Sequence, residues 1–313
     1  MIDKGAKIVL TGAAGLVGQN LIVELKAQGY TRLVAIDKHD YNLGILRGLH
    51  PEVEVIQADL AEPGAWERSF AGAACVVQLH AQITGKYPAL FERNNVDATR
   101  RVLAAARAAA VPYLVHISSS VVNSVADDDY TNTKKAQEKL VAESGLGHCV
   151  LRPTLMFGWF DPKHLGWLSR FMARTPVFPI PGDGRYMRQP LYEGDFCRCI
   201  VRCIEDQPAA VYDICGNTRI DYIDIIRTIK RAKGLRTLIV PIPFALFRWL
   251  LRVYALFSGK PPFTASQLDA LSAGDEFHGV DTRQVFGVAQ TPFEDAVRES
   301  YCDPRYSRIV LQR

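Results

Sequence analysis

The sequence lacks the features that mark several large classes of protein. Its 37 basic and 33 acidic residues nearly balance and no sustained basic block is present, so the charge pattern gives no indication of a nucleic-acid partner. Its most apolar stretch, residues 244–257, is shorter than the roughly 20 residues that a membrane-spanning helix needs. An apolar strand begins within a few residues of Met1, which leaves no room for a secretory signal peptide. We therefore expect a cytoplasmic protein without a transmembrane segment.

The cysteines do not form the framework of a disulfide-rich protein. Their number is odd and most of them sit inside apolar runs, which favours reduced thiols in a core. Cys199 and Cys203 share a helix face, but no histidine or further cysteine pair lies near enough in sequence to complete a zinc site. The sequence thus predicts no metal. The seven positions are Cys75, Cys149, Cys197, Cys199, Cys203, Cys215 and Cys302.

A glycine-rich turn stands between a strand and a helix near the start of the chain. Residues 8–11 are an apolar run, three glycines follow at three-residue spacing, and a helical pattern continues over 19–26. The first N–H groups of a helix are unpaired and its dipole is positive there, so a pyrophosphate can bind where no Cβ blocks its approach. The predicted dinucleotide contacts of this loop are Gly12, Gly15, Leu16, Val17 and Gly18.

An acidic residue follows at the spacing expected for a dinucleotide site. Asp37 ends the next apolar run, nineteen residues after Gly18, where a carboxylate can accept hydrogen bonds from the adenosine ribose. A carboxylate there repels a 2′-phosphate, so NAD is favoured over NADP, although Lys38 beside it could tolerate the phosphate. Asp59 follows the third strand, where it could accept from the adenine amino group while Leu60 packs on the ring. A simple loop acid is an equal alternative for Asp59.

Strands and helices alternate through the first half of the chain. The longest helical pattern covers 87–110, and short links join the elements, as in a Rossmann-type doubly wound parallel sheet of an α/β fold. Leu79 and the segment 80–85, which begins with His80 and Ala81, would line the cofactor at the end of the fourth strand. His80 is either a donor near the pyrophosphate or, as we favour, a hydrogen-bonded buried imidazole. The further apolar runs lie at residues 73–79, 113–117 and 147–152.

A tyrosine and a lysine four residues apart follow the fifth strand and a serine cluster at 118–120. Asp127–Asp129 suits a helix start, which puts Tyr130 in the first turns and Lys134 on the same face. A free phenol has a pKa of about 10, but an adjacent ammonium and an oxidised nicotinamide would stabilise its phenolate. Tyr130 could then take a proton from a substrate hydroxyl as hydride leaves the carbon. Lys134 could also bridge to the nicotinamide ribose, and a serine of the cluster could bind the reacting oxygen.

The second half of the chain departs from the parallel pattern. We predict a cofactor-binding domain over 1–158, to which 188–216 returns, and a smaller α+β substrate lobe over 159–313. The first part of this lobe is predicted to be irregular over 159–174 and 176–184, with a short strand over 185–192.

Residues 244–257 form the most unusual helix of the predicted lobe, since only Arg248 and Arg252 are polar. We interpret it first as a helix packed on the lobe with one basic stripe outward. A lid over an apolar substrate, a dimer surface and a helix lying on a membrane are the alternatives.

Together these motifs resemble the extended short-chain dehydrogenase/reductase family, also called the NAD-dependent epimerase/dehydratase family. The resemblance covers roughly residues 6–300, and it is specific for fold and cofactor but much less so for substrate. Its five features, in order, are Thr11-Gly12-x-x-Gly15-x-x-Gly18, Asp37, Asn94-Asn95-Val96-x-x-Thr99, Tyr130-x-x-x-Lys134, and Leu151-Arg152-Pro153 leading to Phe157-Gly158.

The resemblance implies roles for individual residues. Asn95 would hold the segment beside the nicotinamide, and Ser120 is the alternative for the catalytic serine. The implied catalytic group is Ser119, Tyr130 and Lys134. The further cofactor contacts are Asn95, Tyr130, Lys134 and Pro153. The substrate contacts are Ser119, Ser120, Thr154 and Arg188.

Departures from the family pattern bear on the substrate. Dehydratases of the family carry an Asp-Glu pair after the catalytic residue, but Ser120-Val121 stands there, so elimination lacks its acid and base. Arg188 matches an arginine that grips the uridine and phosphate region of sugar nucleotides. Asp275 stands where a second arginine is expected, and it would repel a diphosphate unless Arg185 or Arg283 replaces that arginine.

We therefore expect an NAD-dependent sugar-nucleotide oxidoreductase, a 4-epimerase or 4-ketoreductase, that acts on a small molecule as a homodimer. The alternative is a dehydrogenase of a hydroxylated apolar compound, resembling 3β-hydroxysteroid dehydrogenases, because the second arginine is missing and the helix at 244–257 is apolar. A third possibility is a cofactor-binding assembly protein without turnover, which the presence of Tyr130 and Lys134 disfavours.

Overall fold

Seven parallel strands form the central sheet of the protein. The structure is a computed structural model, and it describes residues 2–257 and 276–312, with the backbone alone at 251, 252 and 254–257. The strands within these described residues are β1 (Lys7–Thr11), β2 (Arg32–Asp37), β3 (Glu54–Gln57), β4 (Ala73–Gln78), β5 (Tyr113–Ile117), β6 (Gly147–Pro153), β7 (Met156–Phe157), β8 (Val177–Pro181), β9 (Met187–Arg188), β10 (Leu191–Tyr192), β11 (Val211–Ile214), β12 (Ile220–Asp221) and β13 (Leu238–Ile242). The helices are α1 (Leu16–Ala27), α2 (Asp40–Leu49), α3 (Pro88–Phe91), α4 (Ala98–Ala108), α5 (Asp129–Ala142), α6 (His164–Met172), α7 (Glu193–Asp206), α8 (Tyr222–Ala232), α9 (Phe244–Phe257), α10 (Thr282–Phe286) and α11 (Phe293–Cys302).

The order of the strands opens a crevice at one edge of the sheet. The strands lie in the order β11-β6-β5-β4-β1-β2-β3, so the loops after β1 and β4 lead away in opposite directions. Gly12, directly after β1, has φ +70°, and a Cβ there would lie 2.6 Å from the Cα of His80, after β4. Only glycine allows the two loops to touch at the base of the crevice. The predicted α/β fold with a doubly wound parallel sheet is confirmed.

Helices cover both faces of this sheet. Every residue of β5 is buried, as expected for a parallel strand with helices on either side. Helices α1 and α7 cover one face, where the thiols of Cys197, Cys199 and Cys203 belong to the core, and α4 covers the other. Six of the seven cysteines are buried and free, and Cys302 is exposed. The prediction of reduced core thiols agrees with this packing.

A separate apolar cluster forms the core of the C-terminal lobe. Helices α6, α8 and α11 contribute Leu168, Ile226 and Val297 to it, and the pairs β7–β10, β9–β12 and β8–β13 are small sheets around it. The predicted domain boundary after residue 158 stays a prediction. Across residues 2–257 and 276–312, every helix is too short or too polar to cross a bilayer.

The single helix predicted over 87–110 is wrong in its middle. Helix α3 ends at Phe91, a π-helical turn spans Glu92–Asp97, and α4 begins only afterwards. The amide of Asn95 in this turn bonds Gln82 on one side and Thr133 on the other. A π turn widens the helix locally, and such turns are frequent at functional sites. The irregularity therefore coincides with a residue that joins two loops of the crevice.

The chain between 159 and 192 is more regular than predicted. Helix α6 and strand β8 form where irregular structure was expected, because Leu165, Leu168 and Met172 bury one apolar face of α6. The single strand predicted over 185–192 is split into β9 and β10. Pro190 lies between them and has no N–H to donate to a strand ladder.

Helix α7 begins at Glu193, and this residue carries an unusual carboxyl group. Its side chain is fully buried, and neither oxygen has a hydrogen-bond partner among the described residues. Gly158 leaves room for it, because a Cβ there would lie 2.5 Å from the Glu193 Cβ. Burial raises the pKa of Glu193 to about 8, with a smaller contribution from the charge of Asp161. The carboxyl group is therefore mainly protonated at neutral pH.

We expect Glu193→Gln to stabilise the protein at neutral and mildly alkaline pH. Between pH 4.5 and about 8 the folded protein keeps a proton that the unfolded chain releases, so wild-type stability falls across this interval as the pH rises. The side-chain amide of the variant does not titrate, so it adds no such dependence of stability on pH. The free energy of unfolding of the variant, measured by chemical denaturation, should exceed that of wild type by on the order of 3 kcal/mol at pH 8 and should equal it near pH 4.5. Glu54→Gln, at an exposed position, is the control; equal curves for Glu193→Gln and wild type would contradict the burial argument.

Candidate active site

A cavity of about 280 Å³ lies in the crevice at the carboxyl ends of β1 and β4. Twelve predicted cofactor residues line it: Gly12, Gly15, Leu16, Val17, Gly18, Asp37, Lys38, Asp59, Leu60, Leu79, His80 and Ala81. Gln82 and Ile83 also line it, as predicted for the segment 80–85, and four further lining residues were not predicted: Ala58, Asn94, Ala98 and Met156. A sequence signal existed for most of these, since they directly neighbour predicted positions or motifs. Met156, from the short strand β7, directly precedes the Phe157-Gly158 part of the family motif.

The glycine loop fits a phosphate group. Gly15 is the N-cap of α1 and supplies no side-chain cap, so the first N–H groups of the helix face the cavity wall. A Cβ at Gly15 would have one heavy atom within 4 Å, the carbonyl oxygen of Gly12 at 3.3 Å, and would otherwise extend into the open crevice. The missing side chain thus leaves space beside unpaired N–H groups and the positive end of a helix dipole.

The acidic residue after β2 is fixed by the backbone around it. Asp37 accepts hydrogen bonds from the N–H of Ala14 (3.0 Å) and of His39 (2.9 Å). Lys38 points to the other side, where it donates to Asn94 (2.7 Å) and lies 3.6 Å from Asp59. Asp37 keeps its charge free of an ion pair among the described residues. This arrangement fits a ribose diol better than a 2′-phosphate.

The carboxylate after β3 is both a lining residue and a partner in an ion pair. Arg93 donates to Asp59 at 2.8 Å, and the N–H of Ala61 donates to it at 3.1 Å. Hydrogen bonds from these two groups lower the pKa of Asp59 against the effect of its partial burial. The sequence left two interpretations of Asp59 open, a contact to adenine and a simple loop acid. The structure is compatible with both, because Asp59 is bonded within its loop and also lines the cavity.

The ring of His80 is held between two threonines. Its Nδ1 lies 3.0 Å from the Thr11 hydroxyl and its Nε2 lies 3.3 Å from the Thr99 hydroxyl. The Thr99 oxygen already accepts from the amides of Gln78 (2.7 Å) and Gln137 (2.8 Å), so its hydrogen is left for His80 Nε2. Burial, and next the charge of Lys134, lower the pKa of His80 to about 3. The favoured interpretation, a neutral imidazole with both nitrogens satisfied, agrees with this geometry.

The predicted catalytic tyrosine lies in the first turn of α5. Asp128 caps this helix by accepting from the N–H of Thr131 at 3.0 Å, as the aspartate run suggested. The hydroxyl of Tyr130 is within hydrogen-bond reach of Ser119, whose Oγ also accepts from the N–H of Val121 at 3.4 Å. The structure therefore brings Ser119 and Tyr130 together. Ser120, the alternative, begins the adjacent 3₁₀ turn over Ser120–Asn123.

The expected lowering of the tyrosine pKa is not found in the chain without a bound cofactor. Burial raises the pKa of Tyr130, the hydrogen bond to Ser119 lowers it, and the charge of Asp128 raises it. The physical reason is that the amine of Lys134 is directed elsewhere and has lost much of its own basicity. Burial lowers the pKa of Lys134 to about 7.

The lysine amine lies fully inside the protein at the end of β5. Its Nζ donates to the carbonyl oxygen of Ile117 at 2.9 Å, and it makes no salt bridge within the described part of the chain. An ammonium has three donors, so two N–H groups remain for other acceptors. Its charge acts on His80 at the cavity and on the fully buried His116, whose pKa is also lowered. Lys134 therefore lies close to the cavity wall but behind it.

A buried amide ties the cavity to the catalytic helix. Asn95 accepts from the N–H of Gln82 on the cavity wall and donates to the Thr133 hydroxyl at 2.9 Å, next to Lys134. Gln137 of α5 donates back to the carbonyl of Asn95 at 3.1 Å. The structure places Asn95 behind the lining residues, so it positions the loop and helix instead of lining the cavity.

The two other predicted substrate residues, Thr154 and Arg188, are not among the residues that line the cavity. Thr154 follows Pro153, which ends β6 and is not a lining residue of the cavity; the buried Thr154 hydroxyl has no hydrogen-bond partner among the described residues. Arg188 is buried, and its charge lowers the pKa of Tyr186 and of Tyr222 against the raising effect of burial. The conflicting Asp275 lies outside the described residues. Of its possible substitutes, Arg185 is exposed and Arg283 belongs to α10.

Residues 8–215 match the sequence model of the NAD dependent epimerase/dehydratase family. The chain belongs to this family. The matched residues include the glycine loop, Asp37 and the Tyr130–Lys134 pair, and the family is one of NAD-dependent oxidoreductases.

Characterised relatives of the chain act on different compounds. Ceramide reductase of Caulobacter vibrioides is 29% identical over 183 residues, which are 57% of this chain and 55% of the relative. A 4-hydroxy-2-methyl-3-oxo-4-farnesyl-3,4-dihydroquinoline-1-oxide ketoreductase of Stigmatella aurantiaca is 27% identical over 76% of this chain and 77% of the relative. A 3 beta-hydroxysteroid dehydrogenase/Delta 5→4-isomerase of Mycobacterium tuberculosis is 24% identical over 85% of this chain and 80% of the relative.

Solved structures share the fold across almost the whole chain. The UDP-glucuronic acid 4-epimerase of Bacillus cereus in complex with NAD is 19% identical, with a TM-score of 0.71 over 95% of this chain and 97% of that one. The UDP-glucose 4-epimerase of Thermotoga maritima with UDP-glucose is 18% identical, with a TM-score of 0.73 over 94% and 97%. At these identities the likeness establishes the fold alone.

The free carboxylate of Asp37 predicts a preference for NAD that one substitution should remove. Asp37→Asn keeps an acceptor for the N–H of Ala14 but removes the charge that repels a 2′-phosphate. We expect the ratio of NADP to NAD affinity to rise about tenfold, as a charged hydrogen bond and a repulsion are lost together. Fluorescence titration of both dinucleotides measures it, with the exposed Asp40→Asn as control. An unchanged ratio would show that Asp37 does not contact the ribose.

The buried amine predicts that Lys134→Met stabilises the protein at low pH. Between pH 7 and 10.5 the folded protein binds fewer protons at this residue than the unfolded chain, so wild-type stability rises with pH there. Below pH 7 both states are protonated and the full cost of burying the charge remains. The variant should therefore be more stable than wild type by on the order of 3 kcal/mol at about pH 6, and by less at about pH 9. Thermal unfolding without cofactor tests this, with the exposed Lys135→Met as control; a variant that melts lower at pH 6 refutes it.

Proposed function

We propose that the protein is an NAD-dependent oxidoreductase that interconverts a secondary alcohol and a ketone on an apolar, lipid-like substrate. The observation that carries the reaction type is the Ser119–Tyr130 hydroxyl pair at the start of α5, with the amine of Lys134, one turn further along the same helix, buried against the carbonyl oxygen of Ile117. The substrate class rests on the relatives and on the arrangement of the C-terminal lobe.

The chain's own groups supply the proton transfer in this proposal. Tyr130 takes the proton from the substrate hydroxyl in oxidation and returns it in reduction, while Ser119 holds the substrate oxygen by a hydrogen bond. The bound nicotinamide would accept or return a hydride at the substrate carbon. Lys134 uses its remaining N–H groups to hold the ribose, and its positive charge favours the phenolate of Tyr130 over the phenol.

The pKa values of the free chain indicate when this charge is available. The amine of Lys134 has a pKa of about 7 in its buried site, so it is partly neutral at physiological pH. Hydrogen bonds from Lys134 to acceptors of a bound ligand would favour the ammonium form. We infer that ligand binding raises the pKa of Lys134 and lowers that of Tyr130 together.

The proposed substrate class follows from what the curated relatives are named for. Their names refer to a ceramide, a farnesylated quinoline oxide and a steroid, all of which carry an oxygen function on a largely apolar frame. The chain spans about half of the ceramide reductase and about four-fifths of the steroid dehydrogenase. The mainly apolar helix α9 on the C-terminal lobe is compatible with such a substrate.

A nucleotide-sugar 4-epimerase or 4-ketoreductase is the second candidate. Arg188 favours it, because a buried guanidinium beside two tyrosines could bind a diphosphate. The solved structures of the same fold include one with UDP-glucose. Homodimer formation, expected from the family resemblance, stays a prediction for either candidate.

Replacing the phenol tests the reaction type. Tyr130→Phe should lower kcat about 10²- to 10⁴-fold, the range of a lost general acid–base group, and leave NAD affinity within about twofold. Reduction of a steroid ketone and of a long-chain 3-keto lipid by NADH is followed at the nicotinamide absorbance. Tyr41→Phe, at an exposed position of α2, is the control. Unchanged turnover in Tyr130→Phe would remove Tyr130 from the reaction.

A ligand comparison separates the two substrate classes. UDP should leave the melting temperature of the NAD complex unchanged if the substrate is apolar, whereas the hydroxysteroid or keto lipid should raise it. Stabilisation by UDP that Arg188→Met abolishes would instead support the nucleotide-sugar candidate.

A further inference from the structure

The C-terminal lobe carries an exposed apolar surface that the proposed reaction does not use. We call it the docking face, and its members belong to the β8–β13 ribbon and to α9. Each of them is more than a third exposed, with Leu238 at 63% and Trp249 at 58%. The six residues of the docking face are Val177, Leu238, Val240, Leu246, Trp249 and Leu250.

Both faces of the β8–β13 ribbon are apolar. One face packs on the core of the lobe and the other faces outward. Strands β8 and β13 are parallel, with Leu238 paired to Val177, so these two exposed side chains are neighbours. Val240 lies two residues along from Leu238 and shares its side of the strand. Phe178 and Ile180 alternate with the exposed residues and are buried in the lobe core. The apolar side chains on the outer face of the ribbon are therefore not needed to form the core of the lobe.

Helix α9 continues this surface at the end of the ribbon. Leu246, Trp249 and Leu250 are spaced i, i+3 and i+4, which puts them on one face of the helix. The helix is anchored at its start, where Phe244 packs on Gly182 and on the ring of Tyr186 (6.4 Å between centroids). With 14 residues it is about 21 Å long, too short to cross a bilayer core of about 30 Å.

The segments that form the docking face and the helices next to it contain an excess of basic residues, of which Arg227 and Arg231 are in ion pairs with Asp224 and Glu294. Residues 162–182 and 225–257, which include β8, β13 and α9, carry ten Lys and Arg residues and no Asp or Glu. The rest of the chain carries 27 basic and 33 acidic residues. Because β8 and β13 are parallel, Arg174 and Arg236, both exposed and just before the two strands, lie at the same end of the ribbon. The face thus combines apolar side chains with a positive border.

We propose that the docking face binds the surface of a bilayer that contains anionic lipids. Exposed Leu and Trp can enter the boundary between headgroups and acyl chains, while Arg174 and Arg236 contact the headgroups. Tryptophan is enriched at this depth because its ring is apolar and its N–H is polar. A protein partner would need a surface that is both acidic and apolar and whose shape matches the docking face. An anionic bilayer is acidic and apolar as well, and it adapts to any shape.

The position of the docking face connects binding to a bilayer with access of the substrate to the candidate active site. Phe244, at the start of α9, contacts Tyr186, which stacks on Tyr222 at 5.3 Å beside Arg188. The docked helix is therefore joined by side-chain contacts to residues of the substrate side. An apolar substrate held in a bilayer would meet the protein at this lobe. The binding itself does not depend on turnover or on which substrate class is correct.

Vesicle sedimentation of the full chain with NAD tests the proposal. Wild type should sediment with vesicles of phosphatidylcholine and phosphatidylglycerol and much less with phosphatidylcholine alone. The double substitution Arg174→Ser and Arg236→Ser should weaken partitioning about twentyfold, because each cation near an anionic surface contributes about a factor of five. The matched control replaces the exposed Arg47 and Arg107 by Ser and should bind as wild type.

A second pair of variants tests the apolar part. Leu246→Ser with Trp249→Ser should abolish sedimentation, while Tyr41→Ser with Val285→Ser, two exposed apolar residues elsewhere, should not. Melting temperature and NAD affinity show that each variant is folded. Wild type that ignores anionic vesicles, or a face variant that binds them as wild type does, overturns the proposal. A wild-type dimer that this variant converts to a monomer, without vesicle binding, would assign the face to a second copy of the chain instead.

Discussion

A lysine amine fully enclosed in the protein, with one backbone carbonyl as its described partner, is the constraint on which the site depends. Enclosing a charge without a carboxylate costs free energy, so the position of Lys134 must be fixed by other contacts of α5. Gln137 of α5 makes two of these contacts, because its amide donates hydrogen bonds to the Thr99 hydroxyl and to the carbonyl oxygen of Asn95. Asn95 supplies the next by joining Thr133 to the loop after β4. These bonds hold the helix against the sheet edge, and the amine is carried into the interior with it.

The same network gives the crevice its electrostatic character. The amides and threonine hydroxyls bond one another and His80, and burial keeps both His80 and His116 neutral. Among the described residues, Lys134 supplies positive charge behind the cavity, and Asp37, Lys38 and Asp59 are the charged residues that line it. A dinucleotide would lie between them, with its adenosine end at the carboxylates and its reactive ring toward the hydroxyl pair. The glycine loop adds a place where a pyrophosphate can approach the backbone.

Residues that repeat a pattern were predictable from the sequence, and residues that depend on a distant contact were not. The alternating apolar runs gave the strands, and the glycine spacing with Asp37 gave the cavity wall, because both signals are local. The π turn at Asn95 depends on Gln82 and Thr133, which are far apart in sequence. Glu193 looks like an ordinary helix-start acid, and only its packing against Gly158 reveals a buried neutral carboxyl. The lowered pKa of Tyr130 stays a prediction for the cofactor complex, since spacing shows that a lysine is near but not where its amine points.

The most direct test of this account is a crystal structure of the protein with NAD bound. We expect the pyrophosphate at the N–H groups after Gly15, the adenosine ribose on Asp37, and the nicotinamide ribose within about 3 Å of the Lys134 amine. The hydroxyl of Tyr130 should face the reactive carbon of the ring. A dinucleotide found outside this crevice, or one whose nicotinamide points away from Tyr130 and Lys134, would contradict the assignment of the site.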